Sequence, residues 1–171
     1  LGPCFASSSG VIMKIIHQDM LEIQTGILCH QVNCQGVMGS GIAKSIANKW
    51  PKVNERYKEC CKQSSSALLL GDSQVVQIND SLFVANVFGQ NFYGTKNGPA
   101  TDYLAVGRAF ESLKQIIKDI NHWETYHNLP NLPVYVPYKM GCGLGGGNWD
   151  TYLEIIIKYF PDVIVCQLMK N

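Results

Sequence analysis

The chain has no run of like charges, and 14 Lys and Arg against 13 Asp and Glu leave a net charge of +1. Proteins that hold nucleic acid through its phosphates carry a basic stripe or patch; none is visible, so nucleic acid is not the expected main partner. No apolar stretch approaches the ~20 residues that span a bilayer, and no membrane partner is expected. The opening LGPCFASSSG lacks the charged start and apolar core of a signal peptide. Residues 1–10 are therefore set apart as a flexible leader or cloning remnant, with a single domain over 11–171. The seven cysteines are odd in number and include no CxxC pair. A disulfide framework or a structural zinc site would need such pairing. The expectation is reduced thiols in a cytoplasmic protein, with no metal and no cofactor. Also missing are a Walker lysine after a glycine loop and a GxGxxG in its usual place, so neither a generic nucleotide triphosphate site nor a dinucleotide site has motif support.

What is present is an apolar content of 46% in 171 residues, enough for one domain with a core of its own. Val11 to Ile16 is short, apolar and β-branched, and reads as a buried strand. Ile27 to Val32 reads as another. A helix is expected from about Ser40 or Gly41, ended by Pro51, which disfavours helical geometry in the residue before it. A second helix runs from Lys52 to Gln63, and Ser64 to Asp72 reads as loop. Gln74 to Ile78 and Leu82 to Phe88 flank Asn79-Asp80 as a hairpin. After a loop over residues 90–100, Thr101 is expected to cap a helix to about Asn121 with Ala105, Ala109, Leu113, Ile116 and Ile117 inward. Leu132 to Val136 is a strand, Trp149 to Phe160 a helix, and Val163 to Leu168 a last strand.

Strands alternating with helices predict a three-layer α/β/α domain around a mixed, mostly parallel sheet. In such sheets ligands sit beyond the carboxyl ends of the strands. Two glycine-rich loops fall there, each after a strand and before a helix. The first runs from Asn33 to Gly41 as NCQGVMGSG. The second runs from Gly141 to Trp149 as GCGLGGGNW. Glycine lets backbone approach a ligand closely, successive amides can cradle an anion, and a helix N-terminus adds unpaired donors. One such loop is common packing; two in one small chain favour a pyrophosphate clamp that needs no lysine.

The stretch HQVNCQGVMGSGIAKSIANKWPKVNERYKECC, with PYKMGCGLGGGNW further on, resembles the macrodomain family. It is most similar to the fungal-type ADP-ribose 1″-phosphate phosphatases and their phage-encoded relatives, over about residues 11 to 168. The resemblance implies an ADP-ribose-binding domain that hydrolyses ADP-ribose 1″-phosphate; a monomer is the expected state. It implies that Asp19 hydrogen-bonds the adenine amino group and Met20 contacts the adenine through its backbone. Asn33 would face the distal ribose. Gly39, Ser40, Gly41 and Ile42 would line the diphosphate and distal ribose, and Gly141, Cys142, Gly143, Leu144, Gly145 and Gly146 would close over the diphosphate. Asn33 and His30 are the catalytic candidates. His30, inside a predicted strand, is equally a satisfied core histidine. Gln90, Asn91, Tyr93 and Asp102 are further polar candidates, with helix capping the stronger reading of Asp102. A sister group that removes ADP-ribose from protein or DNA uses a lysine and an aspartate. The position matching that aspartate is Gly145 here, and Lys96 is the nearest loop lysine. A third reading is a non-catalytic ADP-ribose reader or nucleotide sponge.

Overall fold

The computed structural model describes residues 4–6, 12–127 and 130–169. Its strands are β1 (Cys4–Ala6), β2 (Ile12–Ile16), β3 (Gly26–Val32), β4 (Ser73–Asn79), β5 (Leu82–Phe88), β6 (Val134–Pro137) and β7 (Ile164–Cys166). Its helices are α1 (Gly41–Lys49), α2 (Pro51–Gln63), α3 (Ser66–Leu69), α4 (Tyr103–Tyr126) and α5 (Trp149–Tyr159). They make one seven-stranded sheet in the order β1-β2-β7-β6-β3-β5-β4. The five inner strands are parallel, and both edge strands, β1 and β4, run antiparallel to their neighbours.

Successive side chains of a strand point to opposite faces, and β3 shows the consequence. Ile27 and Cys29 join a core with Val106, Phe110 and Leu113 of α4 and with Tyr152 and Ile156 of α5. Leu28 and Val32 join a second core with Ile46 of α1, Val53 and Tyr57 of α2, and Leu69 of α3. A strand buried on both sides is rich in apolar residues, as β3 is in Ile27, Leu28, Cys29 and Val32. The chain leaving β3 thus goes to one face, whereas the chains leaving β5 and β6 go to the other. The carboxyl end of β3, between β6 and β5, is therefore a topological switch point. There the outgoing loops diverge and leave a crevice.

Five local readings change. The leader is not wholly outside the fold: Cys4–Ala6 pairs with β2, Cys4 opposite Lys14 and Ala6 opposite Ile12. That pairing covers backbone groups that β2 would otherwise present as an open edge. The expected loop from Ser64 to Asp72 contains α3, opened by Ser65, whose side chain accepts from the Leu68 amide. The cap of α4 is Asp102, which accepts from Ala105 N at 3.1 Å, and not Thr101. The same helix runs past Asn121 to Tyr126. The last two strands are shorter than the apolar runs that announced them, because Leu132 and Val163 enter the core from the flanking turns.

Candidate functional site

A cleft of about 540 Å³ opens at the switch point, lined by the end of β3 (Gln31 to Asn33), both glycine-rich loops, and Gln90 and Tyr93 after β5. The first loop is built on Asn33. Its side-chain Oδ1 accepts from Gln35 N at 2.9 Å and from the Tyr57 hydroxyl at 2.7 Å, and its Nδ2 donates to Val37 O at 2.8 Å. The Tyr57 hydroxyl also reaches Asn33 O at 2.7 Å. One amide side chain therefore folds the loop back on itself and pins it to α2. Its Oδ1 and one of the two Nδ2 hydrogens are committed to the loop, so Asn33 shapes the cleft wall and keeps one N–H without a protein acceptor among the described residues.

The loop delivers the chain into α1 at Gly41, whose φ is +56°. A Cβ added there would meet nothing within 4 Å, so open space lies on that side. Ser40, the N-cap of α1, makes no side-chain cap bond. By contrast, Asp102 caps α4 and Asn148 caps α5. A helix start leaves backbone donors and a positive dipole end, and α1 directs them along residues that line the cleft.

The second loop is organised by Gln31, a residue that sequence reasoning missed. Its Nε2 donates to Gln90 Oε1 and to Thr101 Oγ1, both at 2.8 Å, and its Oε1 accepts from the Tyr152 hydroxyl at 2.9 Å. The Thr101 hydroxyl in turn donates to Gly141 O at 2.8 Å, and Gly145 O accepts from the amides of Ala100 and Thr101. Gly141 has φ +72°, and a Cβ there would overlap the Tyr152 ring and stand 2.9 Å from Gln31 Oε1. A Cβ at Gly145 would lie 2.6 Å from Gly141 O. These two glycines are required by packing inside the protein. Gly143 has open space around its Cβ position. Among the described residues the amides of Gly143, Leu144 and Gly145 donate to no protein acceptor.

Not every expected site residue comes to the cleft. Asn33, Gly39 to Ile42, Gly141 and Gly143 to Gly145 line it, whereas Cys142 and Gly146 do not. Asp19 and Met20 lie after β2. Asp19 accepts from Leu21 N at 2.9 Å to cap the 3-10 turn Met20–Glu22, and Met20 is buried in the core beneath. His30 is fully buried and lies behind the cleft wall. Its Nε2 is 2.6 Å from Asn86 Oδ1. Asn86 Nδ2 donates to Gln74 Oε1, and Gln74 Nε2 donates to the carbonyl of Arg56. Because a carbonyl can only accept, the chain of bonds fixes each amide and makes Nε2 the protonated nitrogen of His30. Its Nδ1 has no partner. Burial lowers its pKa from 6.5 to about 4, against the raising effect of the Asn86 bond. This is a neutral core histidine. Burial also pushes up the thiols of Cys34 and Cys142, one in each loop, which keeps both protonated near neutrality. Asp102 serves as a helix cap, and Asn91 accepts from Gln35 Nε2 at 2.9 Å. Lys96 is absent from the cleft lining, and Lys139 is present in it. No Asp or Glu lines the cleft among the described residues. Those residues also include no helix long and apolar enough to cross a membrane and no cluster of three metal-ligating side chains.

Fold and site together define an α/β protein with a ligand cleft, built from backbone donors, at a switch point of a mixed sheet. No family model matches the chain. An ADP-ribose 1″-phosphate phosphatase of Candida albicans is 34% identical over 125 residues, covering 72% of this chain and 75% of that protein. A DNA ADP-ribosyl glycohydrolase of Mycobacterium tuberculosis is 28% identical over 149 residues, 85% of this chain. The chain spans only 38% of the length of that relative. The macrodomain of Mycobacterium tuberculosis DarG superposes with a TM-score of 0.70 at 24% identity, over 95% of this chain and all of that one. The chain belongs to the macrodomain family.

Proposed function

We propose that the cleft binds ADP-ribose and that the protein hydrolyses ADP-ribose 1″-phosphate. The observation that carries this reading is the pairing of two sets of uncommitted backbone donors across one cleft free of carboxylates: the start of α1 and the amides of Gly143 to Gly145. Such donors suit a ligand with several phosphate oxygens and repel none of them. In the reaction a water oxygen bonds to the terminal phosphorus as the bond from phosphorus to the ribose 1″-oxygen breaks. The proton of the water passes to that oxygen, leaving ADP-ribose and inorganic phosphate. Positioning and preorganised donors supply most of the effect, since His30 is buried and neutral and Asn33 is held by its loop.

A second reading, removal of ADP-ribose from DNA, is favoured by one feature of the cleft mouth. Tyr93 lines the cleft and is 60% exposed, and Phe92 beside it is 61% exposed. Exposed aromatic rings next to a binding cleft can stack on bases, and the glycohydrolase relative is aligned over most of the chain. Calorimetric titration with ADP-ribose, followed by phosphate release from ADP-ribose 1″-phosphate, separates these readings. Binding with release is the expected result. Binding without release, with ADP-ribose freed from modified single-stranded DNA, would replace the phosphatase reading by the second. Binding with no turnover of either substrate would make the protein a reader, and no binding would overturn the ligand.

A further inference from the structure

Lys139 is the one charged side chain lining the cleft among the described residues. Its backbone is unusual as well. It occupies the third position of the turn closed by Met140 N to Pro137 O at 3.1 Å, with φ +58°. Every other described residue with positive φ is glycine. A side chain in the left-handed region is held there against its preference, and glycine would sit there without strain. Among the described residues the Lys139 ammonium makes no hydrogen bond and no ion pair. The residue is exposed, and its Nζ lies 5.5 Å from the Tyr138 ring, within cation–π range. That ring is braced edge-on against Trp149, with centroids 5.5 Å apart. The ammonium is thus parked at the cleft wall, on a turn that follows β6 and feeds directly into the second glycine loop.

We propose that Lys139 is the charge-reading residue of this cleft: its ammonium pairs with a phosphate oxygen of the bound ligand and sets the preference for more highly phosphorylated molecules. The left-handed backbone of the turn is the conformation that sets this residue on the cleft lining. Backbone donors fix geometry at both loops, and Lys139 adds the net charge that the rest of the lining lacks. Such a contact makes affinity fall with ionic strength, which a cleft of neutral donors alone would do weakly. The inference rests on the ADP-ribose reading for the identity of the nucleotide, and only on the phosphate groups for the role of the lysine.

The test titrates wild type, Lys139→Met, Lys139→Gly and Lys139→Arg with ADP-ribose and, separately, with inorganic pyrophosphate, at low and high salt. Each protein is also melted. The expected result is a loss of about tenfold in affinity at low salt for the Met and Gly variants, a flattened salt dependence, and near-wild-type binding by the Arg variant. Lys139→Gly should lose affinity while its melting temperature holds or rises, because the strain is relieved. A purely structural lysine could not separate the two readouts in this way. Wild-type affinity in both the Met and Gly variants would overturn the proposal, as would a loss of affinity matched by a fall in melting temperature in both. Wild-type protein that binds pyrophosphate through Lys139 but not ADP-ribose would uphold the cation and overturn the nucleotide. Wild-type protein that binds neither would overturn both.

Discussion

Replacing Gln31 by leucine tests whether the cleft is held together by the hydrogen-bond hub at the end of β3. Leucine removes both donor bonds and the acceptor of the Tyr152 hydroxyl. Tyr152 is fully buried, so its hydroxyl would be stranded, at a cost of ~1–3 kcal/mol. The two lost donor bonds lie in partly buried surroundings and contribute ~0.5–1.5 kcal/mol each. The Gly141 carbonyl keeps its Thr101 partner, which limits the damage. The total is roughly 2–6 kcal/mol of folding stability. The assay is urea unfolding of wild type, Gln31→Leu, Tyr152→Phe and the double variant. Removing the hydroxyl in the leucine background abolishes the stranded group, so the double variant should be more stable than the sum of the singles predicts by about 1–2 kcal/mol. ADP-ribose affinity should fall in Gln31→Leu and change little in Tyr152→Phe, because Gln31 also bonds Gln90, which lines the cleft, and Thr101, which holds the second loop. Additivity within about 0.5 kcal/mol would refute the reasoning, by showing that the Gln31–Tyr152 bond carries no coupling.

Two further outcomes follow from the same geometry. His30 has a folded pKa of about 4 against 6.5 ordinarily, lowered by burial; its neutral form is favoured in the fold. The associated stability is complete above pH 6.5 and is lost as pH falls towards about 4, by roughly 3 kcal/mol at most. Ring resonances followed by NMR should show His30 neutral at pH 5, and titration near 6.5 would contradict its placement. Gly141→Ala should destabilise the fold by roughly 2–4 kcal/mol, since it adds overlap with Tyr152 to an unfavourable φ. Gly41→Ala has only the φ to contend with, about 1 kcal/mol, so its larger effect should be on ADP-ribose binding. Thermal melts beside calorimetric titrations would rank the two variants in opposite orders if the assignment holds.

The arrangement of strands and helices was legible because burial imposes period. β3 and β5 are mostly apolar because they are covered on both faces, with His30, Gln31 and Asn86 as the polar exceptions, and α4 repeats its apolar residues at helical spacing. α3 was not legible, since four residues are too few to show a helical period. Thr101 and Asp102 are both good capping residues, and sequence alone could not choose between them. The threonine hydroxyl is drawn to the Gly141 carbonyl, forty positions away, which leaves the cap to its neighbour. Gln31 escaped notice for a related reason. A polar residue near the end of a mostly apolar strand looks like an ordinary strand terminus, and its partners Gln90, Thr101 and Tyr152 are remote in sequence.

The glycines are the instructive case, because their presence in a loop was read as access for a ligand. At Gly141 and Gly145 the space a side chain would fill is already taken by Tyr152, Gln31, Thr101 and the Gly141 carbonyl. At Gly41 and Gly143 it is empty. The first pair lets the second loop fold tightly over the Gln31 hub; the second pair leaves room beside the cleft. Both are needed for one site, since an amide can serve as a fixed donor only if the loop bearing it cannot relax away from the ligand. The buried hub supplies that rigidity and the open glycines supply the approach. Lys139 then breaks the pattern from the other side: a position that glycine would fill without strain carries a cation instead. Among the described residues every other left-handed position is glycine, and the exception, on the turn that leads into the second loop, is the one charged residue lining the cleft.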